Sequence, residues 1–145
     1  MSNTSPIIMW FRQDLRLDDN PALLAAAESG RPVIAVFVLD EISPGIRKLG
    51  GAMRWWLHHS LTSLGKDLAA LDINLVLRRG PGDDVIFELA KEVGAKNLVW
   101  NRRYGEPEQN VDATIKSAFD GEAKSYAGII MHEPIFVRSG SGNPY

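Results

Sequence analysis

The chain contains no cysteine among its 145 residues, which removes disulfides, thiol nucleophiles and thiolate metal sites from consideration and fits a reducing compartment. An excess of positive charge is missing too. Sixteen Lys and Arg against eighteen Asp and Glu leave a net charge of −2, so no global field attracts nucleic acid and any DNA contact has to be local. No apolar run approaches the roughly 18 residues of a membrane span. The opening MSNTSP has neither the basic nor the apolar region of a signal peptide. A cytoplasmic protein without a membrane partner is the expectation. Both common phosphate cradles, GxGxxG after a first strand and GxxxxGK[ST], are absent, which argues against a dinucleotide or NTP site of the usual kind.

Histidine is scarce, at three residues. His58 and His59 are adjacent, and neighbours on a helix point about 100° apart, whereas a shared ion needs a spacing such as i, i+4. His132 stands alone, with no serine or carboxylate at a spacing that suggests a triad. No metal site and no catalytic residue is assigned.

What is present is an ordinary globular composition, 45% hydrophobic and 23% charged, and an alternation of strand and helix signals. Ile7 to Phe11 is nearly all apolar, as expected of a strand covered on both faces. Asn20 suits an N-cap, Pro21 a first helical position and Gly30 the left-handed residue after a helix, which bounds a helix over Pro21 to Ser29. Val33 to Leu39 reads as a second strand, followed by a loop over Asp40 to Gly51. Met53, Leu57, Leu61, Leu64, Leu68 and Leu71 recur at steps of three and four, which predicts one apolar stripe on a helix from about Ala52 to Leu71. A third strand lies within Asn74 to Arg79. A third helix opens with Asp83 and Asp84 and stops at Gly94. Leu98 to Trp100 is a fourth strand. A fourth helix carries Val111, Ile115, Ala118 and Phe119 inward and ends at Gly121. A fifth strand is expected near Ala123 to Ile130.

Strands alternating with helices imply right-handed crossovers and a parallel sheet covered on both faces. The fold class is therefore α/β: a three-layer, doubly wound, Rossmann-like five-stranded parallel sheet in the order 3-2-1-4-5. In that order the loops after the first and fourth strands, WFRQDLR and NRRYGEPE, diverge at the switch point and face one crevice. Arg12, Asp14, Arg16, Asp18 and Asp19 either orient a ligand there or pair with one another and cap the helix, and the structural role is favoured. The basic pairs Arg47–Lys48, Arg78–Arg79 and Arg102–Arg103 are candidate phosphate contacts, though such pairs are usually solvated. Trp10 and Trp100 on central strands, and Trp55 and Trp56 on the long helix, are expected in core packing. Glu106 and Glu108 suit the start of the fourth helix.

Four segments, WFRQDLRLDDNPAL from Trp10, VFVLDE from Val36, RWWLHHSL from Arg54 and RSGSGNPY from Arg138, resemble in order and spacing the amino-terminal domain of the DNA photolyase and cryptochrome family. Within it, the bacterial class I enzymes acting on cyclobutane pyrimidine dimers are the most similar. The resemblance implies an antenna-chromophore domain over residues 1–131 and the start of an interdomain connector over 132–145. FAD, the lesion pocket and most of the DNA-contacting surface would belong to a helical domain that follows. That domain is the implied partner, and DNA would be met only by the full-length protein, which flips the lesion out and donates an electron from photoexcited reduced FAD.

In folate-using members a glutamate after the fourth-strand motif holds the pterin of methenyltetrahydrofolate, and YGEPE from Tyr104 puts Glu108 at that place. A carboxylate suits the role because it accepts paired N–H bonds. The position before it, an asparagine in some members, is Pro107 here, which removes one polar contact. Arg12 and Tyr104 join Glu108 as candidate cofactor-binding residues. Deazaflavin and FMN are the alternative antennas. A cryptochrome domain remains a second reading, and a stand-alone nucleotide-binding domain of the universal-stress or electron-transfer-flavoprotein type a third.

Overall fold

The computed structural model describes residues 4–143; the first three residues and the last two of RSGSGNPY, Pro144 and Tyr145, lie outside the described residues. Five strands, β1 (Ile7–Phe11), β2 (Val33–Leu39), β3 (Leu75–Arg79), β4 (Asn97–Asn101) and β5 (Glu122–Tyr126), alternate with four helices, α1 (Pro21–Glu28), α2 (Gly51–Ala69), α3 (Gly82–Val93) and α4 (Glu106–Ala118). The strands form one sheet in the order β3-β2-β1-β4-β5, every pairing parallel. This is the doubly wound α/β sheet expected from the strand and helix alternation.

Strand periodicity divides the core into two layers. Ile8, Trp10, Val36, Val38, Leu98 and Trp100 face α3 and α4, where Ile86, Leu89, Val111 and Ile115 close over them. On the other face, Ile7, Met9, Phe11, Ala35 and Val99 meet Ala22, Leu23 and Ala26 of α1 and Leu64 and Leu68 of α2. Full burial of each large apolar side chain contributes about 1.5–3 kcal/mol, which is why β1, buried along its whole length, can sit at the centre.

Helix ends follow local chemistry. Asn20 Oδ1 accepts from Leu23 N at 3.1 Å, Pro21 opens α1, and Gly94 ends α3 at φ 69°. Gly121 is required for a different reason: a Cβ there would collide with the Lys96 carbonyl, and that close approach lets Glu122 N donate to Lys96 O at 2.8 Å and start β5.

Two expectations are corrected. Trp55 and Trp56 are not core residues but 62% and 65% exposed, and Met53 of the predicted stripe is exposed as well, while Leu71, also exposed, falls in the turn after the helix. Only Leu64 and Leu68 of α2 are buried. The cause is length: the 19 residues of α2 span about 28 Å, whereas the five residues of β3 span about 17 Å, so the first half of the helix overhangs the carboxyl edge of the sheet. The fifth strand also stops at Tyr126 rather than running to Ile130. Its neighbour β4 ends at Asn101, the partner of Tyr126, and beyond it there is no strand to pair with. Residues 127–143 contain one short 3-10 turn, Pro134–Phe136. Among the described residues no helix is long and apolar enough to cross a membrane.

Candidate functional site

Leaving β1, the chain turns Arg12 back over the Trp10 ring, 4.4 Å from its centroid. Its guanidinium donates to Asp112 Oδ1 at 2.6 Å, to Asp112 Oδ2 at 3.0 Å and to the Asn101 carbonyl at 2.5 Å. Asp112, on α4, also accepts from Arg103 Nη2 at 2.8 Å and from Trp100 Nε1 at 3.1 Å. One carboxylate thus joins two guanidiniums and an indole beneath the switch point. Burial lowers the Arg12 pKa to about 10, the Arg103 charge pushes the same way, and Asp112 opposes both. Trp10 Nε1, Arg12 Nε and Arg103 Nε are buried N–H groups without an acceptor. The two guanidiniums lie against the Trp10 ring instead, at 4.4 and 5.3 Å, where cation–π attraction partly compensates.

The rest of the charged loop is held by its own surroundings. Asn101 Nδ2 donates to Asp14 Oδ2 at 2.6 Å and to Asn20 Oδ1 at 2.7 Å, tying the loop and the start of α1 to β4. Arg16 donates to the carbonyls of Asp18, Asp19 and Gly128. The favoured structural role holds only in part: among the described residues no two of these five side chains pair with each other and the cap of α1 is Asn20, while Asp14 accepts from Arg12 N and the Arg12 side chain finds its partner on another element. Sequence reasoning missed Asp112 and Asn101. The available signal for Asp112 was a carboxylate within the inward stripe of α4, between Val111 and Ile115.

Above this network lies a crevice of about 560 Å³, lined by Phe37, Val38 and Leu39 of β2, Met53, Trp56 and Leu57 of α2, Ile46, Arg47 and Leu49 of the loop between them, and Arg12, Arg16, Arg103 and Glu108. The overhang of α2 therefore supplies one wall. The loop is pinned at both ends. Asp40 accepts from Ile42 N, Ser43 N, Ser43 Oγ and Gly82 N; burial alone would raise its pKa, and these bonds outweigh it and hold the carboxyl below its ordinary value. Glu41 accepts from Leu49 N at 3.1 Å, Arg54 at 2.6 Å and Arg79 at 3.2 Å. The loop tip reaches α4: Gly45, at φ 81°, lies where a Cβ would come within 2.9 Å of Pro107 Cγ. Pro107 is thus a packing contact across the crevice mouth.

The structure brings Arg12 and Glu108 to this one crevice and Tyr104 to a neighbouring cavity of about 520 Å³ beside Trp100, Lys116 and Phe136. Arg12 is buried and committed to Asp112. Glu108 is half-buried; its side chain folds back over Gly105, and its carboxylate has no hydrogen-bond partner among the described residues, where only its main-chain carbonyl is engaged, by Arg103. Tyr104 Oη donates to Glu133 Oε1 at 2.5 Å. Burial raises the tyrosine pKa and Glu133 adds to the effect, while the same bond, with Arg102, holds Glu133 below its ordinary value.

A family model described as DNA photolyase matches residues 7–145. The chain belongs to the DNA photolyase family. It is 45% identical over 145 residues to a deoxyribodipyrimidine photo-lyase of Agrobacterium fabrum, covering 98% of this chain and 30% of that protein. It is 34% identical over 143 residues to cryptochrome-1 of Arabidopsis thaliana, covering 95% of this chain and 21% of that one. Among solved structures, a bacterial class III photolyase from Agrobacterium tumefaciens superposes with a TM-score of 0.87 at 40% identity, over 100% of this chain and 30% of that one. A cryptochrome from Synechocystis matches with a TM-score of 0.76 at 29% identity, over 88% and 28%. The chain thus spans about 30% or less of the length of these relatives. They carry the family and a bacterial photolyase relative, and the class named among them is III, not the class I of the sequence reading.

Proposed function

We propose that this chain is the antenna-chromophore domain of a deoxyribodipyrimidine photolyase whose complete form repairs ultraviolet-induced pyrimidine dimers in DNA with light. The observation that carries the reading is the crevice: an apolar wall at the switch point, where α/β sheets take ligands, with the uncommitted carboxylate of Glu108 on its rim. A planar heterocycle fits that donor set, with Phe37, Leu57 and Trp56 against its faces and Glu108 accepting from its N–H edge. Methenyltetrahydrofolate is the favoured group, with a deazaflavin or FMN as alternatives. When bound it would absorb near-ultraviolet light and pass the excitation on. Arg12 serves through position, holding the base of the crevice on Asp112, and Tyr104 serves by anchoring Glu133 of the segment leading out of the domain.

FAD, lesion and DNA contacts would belong to sequence beyond this domain, for which residues 132–145 begin the connector. Repair is favoured over cryptochrome signalling because the match to a photolyase, at 45%, exceeds that to the Arabidopsis cryptochrome, at 34%. The test is repair of cyclobutane dimers in ultraviolet-damaged DNA by the complete gene product under blue light, with this chain alone as control. The complete product is expected to repair, and the chain alone neither to repair nor to retain FAD. A complete product that binds FAD but leaves the dimers intact would favour the cryptochrome reading.

A further inference from the structure

Six charged side chains line the crevice, Arg12, Arg16, Asp40, Arg47, Arg103 and Glu108, and four of them are engaged by other groups of the protein. Arg12 and Arg103 are paired with Asp112. Arg16 is bonded to three backbone carbonyls, and Asp40 to the N–H and O–H groups of its own loop and of Gly82. Two remain. Among the described residues the carboxylate of Glu108 has no partner, and Arg47, exposed on the loop after β2, makes no hydrogen bond or ion pair. The contrast extends to the other basic pairs of the sequence, since Arg78, Arg79, Arg102 and Arg103 each meet a carboxylate. Arg47 is also not free to drift far. Its loop is fixed by Asp40 and Glu41 on one side of it, by the Leu49 N–H bond to Glu41 on the other, and by the contact of Gly45 with Pro107 at the tip.

We infer that the crevice selects a ligand with two polar features, an N–H edge met by Glu108 and an anionic tail met by Arg47, so that Arg47 is a specificity-determining residue. The inference rests on the chromophore reading above and deepens it: it favours a heterocycle bearing a carboxylate or phosphate tail over the same ring system with a neutral tail. A guanidinium suits either anion because its planar fork can donate two parallel N–H bonds. An apolar wall beside it orients the ring while the tail stays at the solvent-facing lip, where Arg47 stands.

FMN and riboflavin differ by one phosphate and, with methenyltetrahydrofolate, are the probes. Binding to this chain is followed by flavin or folate absorbance and fluorescence at low ionic strength, for wild type, Arg47→Gln and Glu108→Gln. FMN is expected to bind about fivefold or more tighter than riboflavin, the range of a charge-assisted contact at a partly exposed site. Arg47→Gln should erase that advantage, weaken methenyltetrahydrofolate by a similar factor and leave riboflavin unchanged, while Glu108→Gln weakens both flavins together and preserves their ratio. An Arg47→Gln variant that binds FMN and the folate as well as wild type does would overturn the inference, as would one that loses riboflavin equally. If none of the three probes binds, the chromophore reading of the crevice falls, and this inference with it.

Discussion

Asp112 is the residue on which the buried charges depend. Two guanidiniums and an indole N–H converge on it, and both arginines are nearly removed from water. Replacing a buried pair by apolar groups can be neutral, but deleting one partner leaves charge without compensation and costs about 3–5 kcal/mol. Asp112→Ala is therefore expected to lower the free energy of unfolding by about that amount, measured by urea denaturation, and Asp112→Asn by less because it keeps one acceptor. A loss below about 1 kcal/mol for the alanine variant would show that the network does not hold the switch point together. The cluster was only half legible in the sequence. Arg12 stood out within a charged loop, yet its partner lies 100 positions away, and nothing in local spacing connects the two.

At the scale of elements, α2 separates packing from site-building along one helix. Leu64 and Leu68 are 1% and 0% exposed, whereas Trp55 and Trp56 at the other end are mostly in solvent. Leu64→Ala should destabilise by about 2–5 kcal/mol, while Trp55→Ala and Trp56→Ala should each change stability by about 0.5 kcal/mol or less. Thermal and urea melts of the three variants check this, and a large loss for either tryptophan would mean that the overhang packs after all. The strand and helix order was readable because each element carries its own signal: unbroken apolar runs for β1 and β2, Asn20 and Pro21 at the start of α1, Gly94 at the end of α3. The overhang was not readable. A period of 3.6 reveals which side of a helix is apolar, but not whether the sheet beneath is long enough to cover it, and the stripe that builds the crevice wall looked like more core.

For the whole molecule, the proposed functional centre is the crevice at the carboxyl edge of the sheet, in a chain that spans 30% of its Agrobacterium fabrum relative. The crevice is open to solvent on this domain, so a ligand keeps much of its surface wet and binding to the chain alone should be weak. Within that weak binding Glu108 should still be decisive, because its carboxylate has no partner among the described residues to lose, whereas its worth to α4 as a charge near the helix N-terminus is only about 0.3–1 kcal/mol. The deciding measurement is a near-ultraviolet titration of methenyltetrahydrofolate into wild type and Glu108→Ala, run beside thermal melts of both. Removing the charge-assisted bond should weaken binding by about 1.5–3 kcal/mol, roughly ten- to hundredfold, with stability almost unchanged. Equal uptake by the two proteins would contradict the account and leave Glu108 with nothing more than its place at the end of a helix.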